Sequence, residues 1–458
     1  MSKKIFFKIV AGGVLIISIT VFIGHRIITV RKPNIILITL DALRPDHLGC
    51  YGYKRNTSPT IDRLAEQGVI FTDFIAPSAH TAPSNASLVT STYPNLHNVK
   101  DWGYQFAQEM PRTLPILLKE KGYNTAFISD QIGLTSIQEF KSGFDTFDVV
   151  RSINRNPLPA RIIEITDLAL NWLRNNKHKK FFLWVYYLSP HGPYVPGRPY
   201  NKIFFHDEYY NINKSIPISQ DSYNQTSIGT IPSYLSVDGV NDVDYYISQY
   251  DGEIRRVDHQ ISRLLEELKK GGLDKHTVII INSDHGEALG EHARYFCHVN
   301  SLYDELIKIP LIISWDKKIP SSTVINQQVR LIDLMPTILD ILKIKFDPRQ
   351  GQSLLPLITQ QVGNFPLFAY SEQFNLVSVR MKKWKLIYDQ NSMRYELYDL
   401  KNDPREERNI VALRSGMFKF LRFKLSEYLS DAKVCNKPVK SFMHKEVKEK
   451  LRTLGYVQ

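Results

Sequence analysis

The chain has 458 residues, a net charge of +12 and 43% hydrophobic residues. That length holds one large α/β domain with a smaller appendage, and no internal repeat or low-complexity tract interrupts it. The basic excess comes without a nucleic-acid recognition motif and is spread through the C-terminal third, which points to a solvated basic face rather than to a nucleic-acid partner.

Residues Ile5 to Gly24 form an apolar run of membrane-spanning length, broken by Lys8 near one end and preceded by Lys3 and Lys4. A peptidase cutting after Gly24 would meet Phe22 where it needs a small residue, so an uncleaved single-pass anchor is expected, with a cleaved secretory signal as the other reading. The rest of the chain is then expected outside the cytoplasm, periplasmic or extracellular, its basic face available to anionic lipid headgroups. Asn34 to Asp41 is apolar and β-branched and reads as a buried parallel strand that delivers Asp41 at its carboxyl end. In the stretch from Ser78 to Ser91, Pro83 marks the first turn of a helix and leaves Thr81 at its entrance, among unpaired N–H groups. A hydroxyl there is a candidate nucleophile beside an anion site, and the same pattern also reads as a plain cap.

Asn124 to Ser129 and Phe181 to Leu188 read as further strands, the second followed by Pro190-His191-Gly192 on a loop. The polar, aromatic stretch from Tyr200 to Asp242 lacks periodicity and is expected to be a loop able to act as a substrate lid. Val243 to Leu268 is apolar at helical spacing and stops at Gly271-Gly272, with Asp251 and Asp258 on its polar face expected to be solvated or capping. Thr277 to Asn282 repeats the first strand's pattern and runs into Asp284 and His285 ahead of a glycine. Ile309 to Trp315 is another strand, and beyond Phe365 the short runs Val377 to Met381, Lys385 to Tyr388 and Tyr395 to Leu400 predict a small antiparallel sheet closed by a terminal helix. Ligands of an open α/β sheet lie outside the carboxyl ends of its strands. Asp41, Asp284 and His285 are therefore placed to share one divalent metal, with Thr81 as both ligand and nucleophile.

These motifs, together with Arg44-Pro45-Asp46-His47, Tyr93-Pro94, His97, Leu302-Tyr303-Asp304-Glu305, Asp333-Leu334-Met335-Pro336-Thr337, Glu396-Leu397-Tyr398-Asp399 and Leu454-Gly455-Tyr456, resemble the sulfatase type of the alkaline phosphatase superfamily from about Pro33 to Gln458. The resemblance implies a metal at the carboxyl edge of the sheet, a covalent ester on residue 81 and substrate contact by His191. Relatives also carry an active-site histidine or basic residue at the place of His298. The chain departs from formylglycine sulfatases at Thr81, where they carry Cys or Ser, at Asn85, where they carry Arg, and at Ala42, where they usually carry a second Asp. Thr81 is not expected to mature to formylglycine, and a threonine ester must be resolved by attack at sulfur or phosphorus, which favours a phosphorus ester. Two-metal relatives often have Asp at the position of Ser189, so a single metal is expected. Zinc or manganese suits His285 better than calcium or magnesium, which remain alternatives. Arg44, Asp46 and His97 are expected to be structural. Cys50 and Cys297 each adjoin an active-site motif, so a disulfide between them is one reading in an oxidising compartment, which the sequence does not decide; Cys435 stands apart.

The expected architecture is a layered α/β fold of the sulfatase and alkaline phosphatase type. It has an anchor with flanks in residues 1–32, a catalytic domain with a mostly parallel sheet in 33–364, and a C-terminal antiparallel subdomain with its helix in 365–458. The expected activity is that of a membrane-anchored, metal-dependent hydrolase or transferase of a phosphate or sulfate ester, acting through Thr81 with His191 and His298 at the substrate. The substrate is expected to be a small molecule, a glycan or a lipid-linked ester. Two other readings stand beside it: a sulfatase that works without formylglycine, and a catalytically silent binding protein that keeps the fold despite Ala42, Asn85 and Ser189.

Overall fold

A computed structural model of the protein describes residues 32–107, 112–150, 158–210, 214–220, 227–361, 365–431, 443 and 445–453. The apolar run from Ile5 to Gly24 and Cys435 lie outside the described residues. Among the described residues no helix is long and apolar enough to cross a membrane.

From Asn34 onward the chain forms one compact unit. Its strands, in chain order, are β1 (Asn34–Leu40), β2 (Gly68–Ile75), β3 (Asn124–Ser129), β4 (Thr146–Val149), β5 (Phe181–Tyr187), β6 (Thr277–Asn282), β7 (Ala288–Leu289), β8 (Tyr295–Cys297), β9 (Lys308–Ser314), β10 (Thr323–Ile325) and β11 (Val329–Arg330). The main sheet has the order β10-β2-β9-β6-β1-β5-β3-β4, with β11 also paired to β2. All its pairings are parallel except those of β9, which runs antiparallel to both β2 and β6. β7 and β8 form a separate two-stranded ribbon.

The central strands are apolar throughout because both faces are covered. Successive side chains of a strand point to opposite faces. Ile35 and Leu37 of β1 accordingly join Phe182, Trp184, Val278 and Ile280 in one core, while Ile36, Ile38 and Leu40 join Leu183, Val185, Ile279 and Ile281 in the other. The helices that cover them include α1 (Pro59–Glu66), α2 (Thr81–Thr90), α3 (Leu158–Asn176), α4 (Val243–Lys270) and α5 (Leu334–Ile341). Ile162 and Ile165 of α3 and Tyr250, Ile254 and Val257 of α4 pack on the second core, whereas Ala82 and Ala86 of α2 and Met335 of α5 pack on the first.

Of the two α4 carboxylates expected to be solvated or capping, neither is solvated and Asp258 caps. Asp251 is fully buried and paired with Arg55 at 2.9 Å and His47 at 2.7 Å. Asp258, also buried, accepts the Thr60 and Ile61 backbone N–H groups and so caps α1 from a neighbouring helix. In the described part of the 200–242 stretch Ile231 and Leu235 are buried while Tyr209, Ile228 and Val237 are exposed, and a Cβ on Gly192 would lie 2.6 Å from Leu235 Cδ2. A side chain beside His191 would have to displace that buried Leu235 methyl.

The C-terminal part is an antiparallel sheet of β12 (Ala369–Gln373), β13 (Leu376–Met381), β14 (Trp384–Asp389) and β15 (Arg394–Asp399), followed by α6 (Ser415–Asp431) and α7 (Lys445–Thr453). It shares a core with the rest of the chain, since Ala369, Ile387 and Tyr398 cluster with Ile75, Ala79 and Leu302. Cys50 and Cys297 are both free thiols, which corrects the disulfide reading. Cys50 opens its N–H to Asp62 of α1, whereas Cys297 is buried in β8, so they occupy separate environments.

Candidate active site

The site is built where β1 and β6 end side by side. Their parallel register pairs Thr39 with Asn282, which brings Asp41 and Asp284 out of the sheet as neighbours. Asp41, Asp284 and His285 are all fully buried, and one ligand atom from each lies within 4.8 Å of the others. His285 Nδ1 is 2.8 Å from the Gly286 carbonyl oxygen, to which it donates, so its Nε2 presents a lone pair. That Nε2 faces Asp41 Oδ1 at 3.3 Å, Asp284 Oδ2 at 3.8 Å and Thr81 Oγ1 at 3.1 Å.

Thr81 is the first residue of α2, and its hydroxyl enters the group from the helix N-terminus. His80 caps the helix, its Nδ1 accepting the Ala82 N–H at 3.3 Å. Pro83 is in the first turn, where a missing N–H removes no intrahelical bond.

The residue types fit a divalent cation. Burial, then the adjacent Asp284 charge, push the Asp41 carboxyl well above its ordinary range, the signature of carboxylates that lack a compensating charge. An oxygen-rich set with one imidazole oriented by a backbone carbonyl is a metal-binding arrangement. The supporting partners are also in place. Gln131 donates to Asp41 Oδ2 at 2.9 Å, Tyr186 donates to Asp284 Oδ2 at 2.8 Å, and the Ala42 and His285 N–H groups reach Asp284 Oδ1. Asn85 donates both to Asp284 Oδ2 at 3.1 Å and to the Thr81 carbonyl at 2.9 Å, tying the first turn of α2 to that carboxylate.

His191 and His298 are brought to the same place. Their rings are 5.0 Å apart, and His298 lies 4.4 Å from His285 by ring centroids. His191 Nδ1 donates to the Gly192 carbonyl at 2.7 Å, and His298 Nδ1 is 3.3 Å from Glu287 Oε1. Burial, reinforced by His298, pushes His191 down to about 3, and burial with His285 lowers His298. Burial raises Glu287 to about 6.

Arg44, Asp46 and His97 do not join the group. Arg44 grips Asp46 and Glu291 at 2.7 and 2.8 Å, while His97 bonds Ser87 Oγ at 2.8 Å behind α2.

The residues that sequence reasoning missed are His80, Gln131, Tyr186 and Glu287. Gln131 carried a usable signal, since it follows the carboxyl end of β3 as Asp41 follows that of β1. Tyr186 carried none, because it reads as one more apolar residue of β5.

Residues 33–344 match the Sulfatase family, and residues 290–434 match the C-terminal region of N-sulphoglucosamine sulphohydrolase. An N-acetylglucosamine-6-O-sulfatase of Bacteroides thetaiotaomicron is 25% identical over 468 residues, covering 83% of each chain. An arylsulfatase of Clostridium perfringens is 23% identical over 83% of this chain and 90% of its own. Among solved structures, a protein in complex with its substrate D-glucosamine-2-N,6-O-disulfate superposes with a TM-score of 0.74 at 24% identity, covering 89% of this chain and 99% of the other. The phosphonate monoester hydrolase of Agrobacterium radiobacter superposes with a TM-score of 0.72 at 19% identity, over 90% and 100%.

Proposed function

The chain belongs to the sulfatase family, and from that premise we propose that it hydrolyses a sulfate ester of a glycan through a covalent ester on Thr81, with no formylglycine. The observation that carries this reading is Thr81 Oγ1 at the start of α2, 3.1 Å from His285 Nε2 within the Asp41, Asp284 and His285 group. The named relatives support sulfate over phosphate: they are an N-acetylglucosamine-6-O-sulfatase, a hexuronate-2-O-sulfatase and an ulvan-active sulfatase. Relatives of this kind favour sulfate over the phosphorus ester expected from Thr81 and the metal donors.

Asp41, Asp284, His285 and Thr81 would hold one divalent ion, manganese or zinc by donor type, and when bound it lowers the hydroxyl pKa and neutralises the ester oxygens. Thr81 Oγ1 attacks sulfur in line with the leaving alcohol. The bond from Oγ1 to sulfur forms as the bond from sulfur to the bridging oxygen breaks, and the hydroxyl proton ends on the leaving alcohol. His191 and His298, held neutral by burial, can take a proton from one oxygen and pass it to the next. A water molecule then attacks sulfur, and the bond from sulfur to Thr81 Oγ1 breaks as the new one forms. One of its protons returns to Thr81 Oγ1, the other goes to solvent, and sulfate leaves.

The test is ion release from a panel of glycan sulfates, aryl sulfates, phosphomonoesters and phosphonates. Sulfate release by the wild type, with a loss of at least about a hundredfold in Thr81→Ala, is the expected result. Efficient phosphorus ester hydrolysis with no sulfate release would return the chain to the phosphatase reading. Equal rates in wild type and Thr81→Ala would reject the covalent route.

A further inference from the structure

We propose that the β12–β13 hairpin forms a sugar-ring subsite beside Thr81, in which Phe374 is the platform that stacks on the pyranose carrying the sulfate. This rests on the glycan sulfatase reading and names the residue that selects its leaving group.

Phe374 stands at the tip of the two-residue turn between β12 and β13, 50% exposed, with φ at +51°. Both properties work against stability. A left-handed turn position favours Gly or Asn, and a bulky side chain there is an outlier, while an aromatic ring left in water forgoes its burial. Strain of this kind gathers where a side chain must face a ligand.

The position of the ring gives that strain a use. The Phe374 ring meets His80 edge-on with centroids 6.3 Å apart, and His80 is the residue before Thr81. The tip is also held firmly against the site. Gln373 is buried, and its amide donates to the Ala79 carbonyl at 3.2 Å and to the His298 carbonyl at 3.0 Å. One side chain of the hairpin thus clasps the backbone just before the nucleophile and the backbone of the proton-carrying histidine.

Groups suited to hydroxyls contact the same His80 and the same hairpin strand. Asp101 Oδ1 is 3.3 Å from His80 Nε2, and Lys100, itself 44% exposed, is 3.3 Å from Glu372 Oε1 on β12. An exposed aromatic face rimmed by a few fixed polar groups is the chemistry that orients a sugar, whose ring has an apolar face and a polar edge. An acyclic alcohol offers no such face.

The test uses the full chain and compares Phe374→Gly and Phe374→Trp with wild type on N-acetylglucosamine 6-sulfate and on ethyl sulfate. Glycine suits the positive φ, so Phe374→Gly should melt no lower than wild type, which separates loss of the ring from loss of the fold. Phe374→Gly should raise KM for the sugar sulfate at least tenfold and leave kcat/KM for ethyl sulfate within twofold, and Phe374→Trp should restore most of the sugar rate. Equal effects on both esters, or none on either, would overturn the subsite. Calorimetric titration of Thr81→Ala and of Thr81→Ala with Phe374→Gly, using the same sugar sulfate, reads the subsite without turnover. Tenfold weaker binding in the double variant supports it even if the wild type releases no sulfate, in which case only the sulfatase reading fails. Equal binding, or no binding to either protein, rejects the subsite.

Discussion

Asn85 occupies a position where an arginine would bring a charge, and it serves instead as a neutral brace between Asp284 and the first turn of α2. Removing it leaves a buried carboxylate short of one donor, so Asn85→Ala should weaken metal binding by about 10–100-fold while Thr81 stays in place, as titration of the chelated protein with manganese would show. Asn85→Arg is not a restoration, because the side chain is fully buried and a larger one must displace its neighbours at a cost of about 1–3 kcal/mol, read by urea denaturation. Glu253 gives a second residue-level test. It accepts the Val195 N–H at 3.0 Å on the loop that follows His191, and burial pushes its carboxyl from the ordinary 4.5 up to about 7. The folded state therefore holds this proton more tightly than the unfolded chain does. Its contribution is complete below the unfolded value and is lost as pH rises through about 7, a swing of about 3 kcal/mol. Urea midpoints should show wild type losing ground to Glu253→Gln across that window, and parallel pH profiles would contradict this. At this scale Asp41, Thr81, Asp284 and His285 could be read from sequence because each ends a strand or opens a helix. Tyr186 and Glu287 could not, because their roles depend on which strand lies beside which.

Lys385 of β14 shows how the C-terminal sheet is fastened to the rest of the molecule. Its ammonium is fully buried and lies 3.0 Å from Asp304 and 2.9 Å from Glu406, while Arg380 of β13 reaches Asp304 at 2.8 Å and Asp73 of β2 at 2.9 Å. These cations are not part of a solvated basic face, as the charge pattern had implied. Lys385→Met leaves buried Glu406 without its cation and Asp304 with Arg380 alone, and should cost about 3–5 kcal/mol in urea denaturation, because the penalty of an uncompensated buried charge exceeds the gain from the new apolar side chain. The element reading succeeded for β1, β3, β5 and β6, which are apolar on both faces. It failed for β12, whose Ser371, Glu372 and Gln373 look like loop residues but are buried, with Ser371 bonded to the Ala76 carbonyl and Gln373 to Ala79. Nor does composition reveal that β9 runs antiparallel. That direction follows from its connection to β6, which holds short elements and no long crossover helix of the kind a parallel return needs.

For the whole molecule, the metal is predicted to act as a structural brace as well as a catalytic group. Chelation should abolish activity and lower the melting temperature, with manganese or zinc restoring both better than calcium; a saturating ion at a hundred times its Kd adds about 2.7 kcal/mol. We also propose that the apolar run from Ile5 to Gly24 keeps the chain at a membrane, so a mature protein that begins near Met1 and sediments with lipid is expected, and N-terminal sequencing checks it. The pairing of β1 with β6 joins residues whose positions in the chain are far apart, as the bond from Thr39 to Asn282 across 243 residues shows. A ribosome adding about 5–20 residues per second needs on the order of ten seconds to a minute to cover that interval. Throughout it Asp41 exists without Asp284 or His285, and the emerging polypeptide has no centre with which to capture an ion. Selection of the metal is thus postponed until translation has passed residue 285 and the sheet has closed. An ion held by Asp41, Asp284 and His285 would therefore be captured only where folding finishes.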